Sequence, residues 1–363
     1  MKIAVLDVVA SLGGMRVLVG FYNFARETNH DWVFYVSTPE LKERENIKIV
    51  RCDAAGKSWA KRLVFECFGM KKAVLRERPD VVFSLQNTTI FRYRDPQVLF
   101  TQTSIPFQSF KKFSFLKKDE RILAIIQNVS GIFFRKSAKA ADHVVVQTKW
   151  MKRAVLDRCK RPEDTVHVVQ TEAAIPQELQ SGALEAGAVS VRKFIYPATY
   201  FTYKNHKCLF EAARMLAKRG ISDFEIVVTL DESVREISGA PEQVRFAGEI
   251  PYKKLINMYK DHILVFPSYM ESLGLPLAES RAVGGVVLAS KTEFAEELLE
   301  GYENARFFDP FSPDELCGLM ESALSGQIEY KTPSPHVVGG EYGWAPIVRI
   351  IEAAAKNEKV KGK

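Results

Sequence analysis

Short apolar runs rich in β-branched residues alternate with longer helical patterns, and this alternation constrains the fold more than any other feature of the sequence. The runs are apolar almost throughout, which is typical of parallel strands buried on both faces. The chain therefore predicts an α/β fold of two doubly wound, Rossmann-like domains. The predicted strands read KIAVLDVV, WVFYVS, IKIVRC, DVVFSL, QVLFTQ, DHVVVQT and VHVVQ, then KFIYPA, FEIVVTL, VRFAGEI, HILVFPS, VVLAS and ARFFDP.

A segment rich in Ala, Gly and Ser, residues 171–190, separates the two series of strands and predicts a domain boundary. A length of 363 residues suits two domains of ordinary size. Because ligands bind at the carboxyl ends of strands in open α/β sheets, we expect the two domains to face a central cleft. The predicted parts are an N-terminal domain over 1–178, a second domain over 192–340, and a C-terminal segment over 341–363 with an amphipathic helix from Tyr342 to Lys356 that crosses back to the first domain.

No apolar run approaches the roughly 20 residues that a membrane span requires. The N-terminal run is short and interrupted by Asp7, so it predicts a first strand and not a signal peptide. The five cysteines are scattered, without a CxxC pair or a Cys/His cluster, which is typical of reduced thiols and not of a zinc site. We therefore expect a cytoplasmic protein with no bound metal.

Two glutamates, Glu271 and Glu279, enclose a bendable apolar segment in PSYMESLGLPLAESRAVGGVVLAS. Pro276 suits the first turn of a helix, which would contain Glu279, and Gly274 lets a ligand approach the backbone closely. The N–H groups of a helix start favour anions, and carboxylates accept hydrogen bonds from hydroxyls. This combination predicts a site for a sugar joined to a phosphate. The alternative is that Glu279 only complements the helix dipole and Glu271 is a solvated loop residue.

The stretch ESLGLPLAE resembles the motif of two glutamates separated by seven residues in retaining glycosyltransferases of family GT4, which have the GT-B fold. The resemblance spans most of the chain. It implies a nucleotide-sugar-dependent transferase (EC 2.4) of bacterial polysaccharide assembly, such as that of capsule, O-antigen or lipopolysaccharide. Three further stretches are similar to the family: YPATYFTYKNHKCLFEA at 196–212 to the start of the donor domain, AADHVVVQTKWMKRAV at 140–155 to the end of the acceptor-side domain, and RFFDPFSPDEL at 306–316 to the segment after the donor site.

The resemblance assigns roles to individual residues. It implies that Glu279 binds the ribose hydroxyls of the donor and that Glu271 contacts the hydroxyls of the donor sugar. Lys204 in YKNHK matches the phosphate-binding lysine, so Glu271 and Lys204 are the predicted catalytic residues. The backbone N–H groups expected to approach the sugar and phosphates belong to Ser272, Leu273, Gly274 and Leu275.

The chain departs from the family at two positions. Many relatives carry an arginine shortly before the lysine, but YPATYF holds no cation, so phosphate binding would rest on Lys204 with backbone donors or a residue such as Lys207. Many relatives also have a histidine at the end of the strand in FTQTSIPF, where this chain has Thr101 and Gln102. A step assisted by that histidine is therefore not expected.

Two groups in the first domain are expected near the donor or acceptor. Gly13 and Gly14 lie between the first predicted strand and helix and match the family's glycine-rich turn beside the donor diphosphate, where a backbone nest binds anions. Asn87, Gln102 and Thr103 follow two predicted strands and are candidates for binding the acceptor or the donor sugar. The alternative is that these polar groups only satisfy one another at buried strand ends.

Retention of configuration is implied by the family alone. A double displacement needs a carboxylate on the β face of the sugar, and the sequence identifies none. We therefore expect a same-face, ion-pair-like substitution in which the leaving phosphate takes the proton of the acceptor. No D-x-D pattern is present, so Lys204 and helix N-termini, and not a metal, are expected to hold the leaving-group charge.

A basic segment over residues 111–142 has eight Lys or Arg against three acidic residues, in a chain with a net charge of +7. Its first part, KKFSFLKK at 111–118, interleaves Phe113, Phe115 and Leu116 with lysines and could touch an anionic membrane surface. A stripe of apolar residues follows at helical spacing and is expected to face the core. The stripe consists of Ile122, Ile125, Ile126, Val129 and Phe133.

Two other classes compete with the enzyme. The net charge could indicate a nucleic-acid binder, but no motif of that kind is present and the charge is clustered. A non-catalytic two-domain protein that binds a sugar or nucleotide would share the bilobal layout, although the Glu and Lys constellation favours the transferase. The acceptor of that transferase is expected to be a soluble saccharide or a lipid-linked one.

Overall fold

The computed structural model describes residues 1–8, 12–37, 41–52, 69–171, 192–234, 239–331 and 341–361. The chain divides into two compact units. The first consists of Met1–Glu172 together with Gly339–Lys363, and the second of Ala173–Val338. The predicted boundary segment after Thr171 lies outside the described residues.

The sheet of the first unit has eight strands in its described part, and every pairing in it is parallel. The strand order is β14-β7-β6-β5-β4-β1-β2-β3. In the register at its centre, Ala4 lies beside both Val33 and Val82. The order reverses between β1 and β4, which makes their carboxyl ends the switch point of this unit. The strands are β1 (Lys2–Asp7), β2 (Asp31–Val36), β3 (Ile47–Arg51), β4 (Val81–Ser84), β5 (Gln97–Phe100), β6 (His143–Val146), β7 (Val166–Gln170) and β14 (Glu341–Tyr342).

The sheet of the second unit has six parallel strands in its described part, in the order β10-β9-β8-β11-β12-β13. The order reverses between β8 and β11, so the loops after these two strands lie at the switch point, where ligands of open α/β sheets bind. The strands are β8 (Lys193–Tyr196), β9 (Glu225–Val228), β10 (Val244–Phe246), β11 (Ile263–Phe266), β12 (Val287–Ser290) and β13 (Ala305–Phe308).

Helices connect these strands. In the first unit they are α1 (Leu12–Ala25), α2 (Met70–Glu77), α3 (Arg121–Ile125), a π-helical turn (Ile126–Ser130), α4 (Gly131–Ala140), α5 (Lys149–Cys159) and α11 (Trp344–Lys361). In the second unit they are α6 (His206–Lys218), α7 (Tyr252–Asp261), α8 (Leu275–Ala282), α9 (Glu293–Leu298) and α10 (Pro313–Leu324), with short 3₁₀ turns that include Thr202–Lys204.

The predicted α/β class is confirmed, and each of the thirteen predicted runs contains a strand. The central strands could be recognised because they are buried nearly throughout, as β1 and β4 are, whereas the outer strands β3, β10 and β13 are only partly buried. The sequence did not predict β14, a two-residue strand that pairs Tyr342 with Gln170. The terminal helix therefore begins at Trp344, two residues later than expected.

The apolar stripe that follows the basic segment was expected to face the core, and this prediction was wrong. Helical spacing identifies an apolar face but not what covers it, and the core-facing side of this helix is instead formed by Leu123 and Ala124. In the neighbouring loop Phe113 is buried, whereas Phe115 and Leu116 are exposed. The exposed members of the stripe are Ile122, Ile125, Val129 and Phe133, and Ile126 is half-buried.

The described helices include none that combines the length and the apolar character of a membrane span. Four cysteines of the described part are free and buried, in agreement with the prediction of reduced thiols. They are Cys52, Cys159, Cys208 and Cys317, while Cys67 lies outside the described residues.

Helix α11 completes the core of the first unit. Trp344 packs its ring against Phe21 at 5.1 Å between centroids, and Ile347 and Ile351 are fully buried in the same cluster as Phe83. The last part of the chain thus packs on the sheet formed by the first half.

Replacing Ile351 with alanine is expected to lower the free energy of unfolding of the first unit by about 2–5 kcal/mol, because it leaves a cavity in this core. The sequence of the second unit contains no tryptophan, so denaturant unfolding followed by tryptophan fluorescence does not report on it and measures the first unit. Lys356→Ala on the exposed side of α11 is the control and should change the stability by less than about 0.5 kcal/mol. An Ile351→Ala protein as stable as that control would contradict this role of the helix.

Candidate active site

An ion pair joins the two loops at the switch point of the second unit. Lys204, after β8, places its Nζ 2.6 Å from Oε1 of Glu271, which follows β11. Both side chains are largely buried, with 17% of the lysine and 12% of the glutamate exposed. The structure therefore brings together the two residues that were predicted to be catalytic, at the sheet edge where α/β domains bind ligands.

Further hydrogen bonds hold this pair in place. Ser268 donates its hydroxyl to the same Oε1 of Glu271 at 2.5 Å. The carbonyl of Tyr203 accepts from the backbone N–H of Tyr269 at 3.0 Å, and the carbonyl of Lys204 accepts from the hydroxyl of Tyr196 at 2.7 Å. Both ends of the ion pair are thus attached to fixed backbone.

Asn205 ties three strand ends of the second unit together. Its amide Nδ2 donates to the carbonyl of Pro267, after β11, at 3.1 Å and to that of Pro310, after β13, at 2.7 Å. Its backbone has φ +60° and ψ +35°, the left-handed conformation that asparagine tolerates better than most residues. This residue turns the chain from the 3₁₀ turn that contains Lys204 into helix α6.

Glu279 lies deeper in the fold than the sequence predicted. It is the fifth residue of α8, at the beginning of the second turn and not in the first, and only 2% of it is exposed. Its Oε2 accepts a hydrogen bond from the hydroxyl of Tyr259 at 3.2 Å. The predicted helix LPLAESRAV begins at Leu275, where α8 begins, so its start was correct; Glu279 is the fifth residue from that start and lies just beyond the first turn.

The turn between the two glutamates has the conformation that its glycine predicts. Gly274 has φ +93°, and a side chain added there would meet Leu277 and Phe294 at 3.4 Å. Leu273 is buried in the core, and Ser272 and Leu275 are half-buried. The N–H groups at the start of α8 therefore belong to a turn that only glycine forms without strain.

His206 was not singled out from the sequence, although it directly follows Asn205. The residue is 2% exposed, its ring lies 4.8 Å from that of Tyr196 and 5.7 Å from that of Tyr200, and neither ring nitrogen has a hydrogen-bond partner among the described residues. Burial, with a smaller contribution from the charge of Lys204, lowers the pKa of His206 from 6.5 to about 3. The ring is therefore neutral at ordinary pH and adds no charge beside Lys204.

The first unit brings its predicted polar residues together, but they bond to one another. Asn87 Oδ1 accepts from the backbone N–H groups of Gln102 at 2.7 Å and Thr103 at 3.2 Å, and Gln102 Nε2 donates to the carbonyl of Leu85 at 2.7 Å. Asn87 is left-handed, with φ +64°. These contacts brace the loops after β4 and β5, which agrees with the structural alternative for Asn87 and Gln102.

Gly13 and Gly14 were predicted in a turn before the first helix. The structure instead places both inside the first turn of α1, which begins at Leu12. The turn itself, residues 9–11, lies outside the described residues.

Within the described ranges, no group of three or more His, Cys, Asp or Glu residues is arranged to hold a metal ion. Lys204 provides a cation at the switch point of the second unit.

Comparison with known families identifies the second unit. Residues 188–335, which contain Lys204, Glu271 and Glu279, match the family model for glycosyl transferases group 1. This segment is a group 1 glycosyltransferase domain. A sequence comparison with curated proteins finds no significant match for the chain.

Solved structures extend the similarity to almost the whole chain. Sucrose-phosphate synthase from Thermosynechococcus elongatus is 14% identical over 99% of both chains, with a TM-score of 0.66. The lipopolysaccharide outer core galactosyltransferase WaaB in its apo form is 15% identical over 99% of this chain and 98% of its own, with a TM-score of 0.57. HepE from Anabaena, in complex with UDP and glucose, is 13% identical over 99% of this chain and 100% of its own, with a TM-score of 0.59. These matches confirm the GT-B fold.

Replacing Asn205 with alanine is expected to destabilise the second unit by about 2–4 kcal/mol, because it removes two hydrogen bonds and leaves a β-carbon in the left-handed conformation. Asn205→Gly relieves only the backbone strain and should recover about 1 kcal/mol of that loss. Chemical denaturation followed by circular dichroism measures both variants. A glycine variant as stable as the original protein would show that the side-chain bonds contribute no more than the backbone strain that glycine relieves.

The buried His206 predicts a pH-dependent stability. The unfolded chain takes up a proton near pH 6.5 and the folded protein only near pH 3, so the free energy of unfolding should fall by about 1.4 kcal/mol per pH unit as the pH drops between these values. His206→Phe keeps the aromatic contacts and removes this dependence. Its stability relative to the original protein should rise by about 3 kcal/mol between pH 6.5 and pH 4. Parallel stability curves for the two proteins would mean that the folded protein protonates His206.

Proposed function

We propose that the protein is a retaining glycosyltransferase of family GT4 that moves a sugar from a nucleotide-sugar donor to a saccharide or lipid-linked saccharide in bacterial polysaccharide assembly. The group 1 domain supports glycosyl transfer. The observation that carries the finer proposal is the ion pair between Lys204 and Glu271 at the switch point of the second unit.

Lys204 supplies the charge that the leaving group needs. Breaking a glycosyl–phosphate bond leaves negative charge on a nucleoside diphosphate, which a fixed cation stabilises most effectively in a site with little water. An ammonium group has three donors, and only one is needed for Glu271, so Lys204 can bind a phosphate oxygen without leaving the carboxylate. With the N–H groups at the start of α8, this lysine takes the place of a metal ion in the proposed reaction.

The carboxylates of the two glutamates are proposed to accept hydrogen bonds from hydroxyl groups of the donor. Among the described residues, Lys204 and Ser268 both bond to Oε1 of Glu271, so its Oε2 is the atom proposed to accept from a hydroxyl of the donor sugar. Glu279, held by Tyr259, is proposed to accept from the ribose. The backbone from Ser272 to Leu275 is proposed to approach the sugar and phosphates, and the left-handed conformation of Gly274 turns this backbone into the start of α8.

In the proposed mechanism the acceptor attacks from the face that the diphosphate leaves. The leaving phosphate oxygen takes the proton of the acceptor hydroxyl as the glycosyl–phosphate bond breaks, so configuration is retained without a covalent intermediate. We propose that the loops after β4 and β5 in the first unit bind the acceptor. These loops carry Asn87, Gln102 and Thr103, and the contacts would use polar groups that take no part in the hydrogen bonds within the loops.

A panel of nucleotide sugars tests the activity through release of the nucleoside diphosphate. UDP-glucose is the first donor to test, because the similar HepE structure holds UDP and glucose. We expect release that is insensitive to EDTA, and an anomeric signal of the product with the configuration of the donor. A donor that raises the melting temperature without turnover would indicate the non-catalytic binding protein, and an inverted anomer would contradict retention.

Paired variants separate the chemical role of the ion pair from its structural role. Lys204→Met alone leaves the largely buried Glu271 carboxylate without its cation, so it should lower both stability and activity. The double variant Lys204→Met/Glu271→Gln has no such charge and should regain stability while its turnover stays at least about 100-fold low. Lys218→Ala, at the exposed end of α6, is the control. A stable and active double variant would exclude this site from catalysis.

Glu279→Gln tests the ribose contact while keeping the shape of the side chain. It should weaken binding of the nucleoside diphosphate about tenfold, measured by calorimetry, with a smaller effect on the melting temperature. Tyr259→Phe removes the internal hydrogen bond but keeps the carboxylate, so its nucleotide affinity should stay near that of the original protein. Equal losses of affinity in the two variants would assign Glu279 a structural role.

A further inference from the structure

The first unit has an exposed apolar face on one short segment of chain. Among the described residues, eight of the thirteen exposed large hydrophobic side chains lie between residues 110 and 133. Single exposed apolar residues are common on proteins, but such a concentration marks an interaction surface. The eight residues are Phe110, Phe115, Leu116, Ile122, Ile125, Val129, Ile132 and Phe133, and they are here called the apolar face.

The helical members of the apolar face lie on one side of α3, the π-helical turn and α4. Their spacing repeats that of one helix side, while the opposite side packs inward through Leu123, Ala124 and Gly131. Leu116 is 92% exposed and Ile122 is 64% exposed, so these side chains stand in solvent and do not lie in a groove.

The loop that carries Phe115 and Leu116 is held firmly against this helix. Gln127 accepts from the backbone N–H of Phe113 at 3.0 Å and donates to the carbonyl of Lys111 at 2.7 Å. The buried carboxylate of Glu120 accepts from the N–H of Ser114 at 2.8 Å and pairs with Lys111 at 3.4 Å. The hydrogen bond of Ser114 and the neighbouring lysines lower the pKa of Glu120, against the effect of burial. The loop therefore presents its exposed side chains from a fixed backbone.

The charges around the apolar face are almost all positive. Across residues 109–136 the only exposed acidic residue is Asp119. The exposed cations are Lys112, Lys117, Lys118, Arg121 and Lys136. Long cationic side chains can reach past apolar neighbours to bind an anionic surface.

We infer that the apolar face is a docking surface for an anionic lipid bilayer. Its exposed Phe, Leu and Ile side chains would enter the interfacial layer, and the surrounding lysines and Arg121 would bind lipid phosphates. A second copy of this chain fits the surface less well, because a symmetric contact would oppose its cations to their own copies. A protein partner is also less suited, because lysine is depleted at the centres of protein interfaces.

The helix beneath the apolar face is connected to a loop of the candidate acceptor site. Arg135 in α4 donates to the carbonyl of Pro106 at 2.9 Å, and a side chain at Gly131 would come within 3.1 Å of the same proline. This proline lies in the loop after β5 that contains Gln102 and Thr103. Docking at the apolar face would therefore hold that loop close to the membrane surface, where the acceptor would be lipid-linked. This last step rests on the proposed function, whereas lipid binding does not.

Flotation of the full-length protein with vesicles tests the inference. At low salt the protein should float with vesicles of phosphatidylcholine and phosphatidylglycerol, and less with phosphatidylcholine alone or at high salt. The double variant Leu116→Asp/Phe133→Asp should lower the partition coefficient at least about tenfold, and Lys112→Gln/Lys118→Gln should lower it about tenfold or more. Leu75→Asp and Phe91→Asp, at exposed apolar residues of the same unit outside the face, should float like the original protein.

Three outcomes would overturn the inference: no flotation of the original protein with anionic vesicles, equal flotation of the Leu116→Asp/Phe133→Asp protein, or a dimer in light scattering that this variant dissociates. The last result would assign the apolar face to contact between copies. Release of nucleoside diphosphate from the donor in the absence of vesicles should be the same in all these variants. A failure of lipid binding is thus distinguishable from a failure of the proposed enzyme.

Discussion

The geometry of the candidate active site depends on the neutral side chain of Asn205. Its amide joins the carbonyls that follow β11 and β13, and its left-handed backbone ends the turn that carries Lys204. Because Glu271 follows the first of these carbonyls in the same loop, the lysine and the glutamate meet through fixed backbone rather than through their charge alone. Their ion pair loses solvation on burial, so an independent scaffold is needed to keep it formed.

The sheets could be predicted from the sequence because parallel strands buried on both faces consist of nearly continuous runs of apolar residues. The apolar stripe over 122–133 could not be assigned in this way. Its spacing indicates a helix with one apolar side. Whether that side faces the core depends on whether other residues of the same helix already occupy the inward positions. Here Leu123, Ala124 and Gly131 take the inward positions. A periodic pattern therefore determines an element, and packing determines its orientation.

Only part of the candidate site was predicted, because its remaining features depend on how distant elements pack together. Glu271 could be found because it lies in a loop after a predicted strand, where open α/β sheets bind ligands, and Lys204 because YKNHK resembles the phosphate-binding segment of the family. Asn205 and His206 were missed because neither carries a charge at neutral pH, although asparagine before a helix is a signal for a cap or a left-handed turn. The depth of Glu279 was also missed, since its contact with Tyr259 joins two helices and has no local pattern. Contacts between distant elements leave the weakest trace in a sequence.

The return of the chain to the first unit affects the order in which the protein folds during synthesis. The second unit is one continuous stretch of the chain, and the described strands of its sheet, β8 to β13, all lie within that stretch. The sheet of the first unit, in contrast, gains strand β14 and the covering helix α11 only at the end of translation. Domains generally fold as units while the chain emerges. In this chain the part made first would wait for the part made last, and until then Phe21 and Phe100 would lack the cover that the ring of Trp344 provides. A nascent chain that stalls before residue 341 would thus keep a complete second sheet beside an unfinished first core.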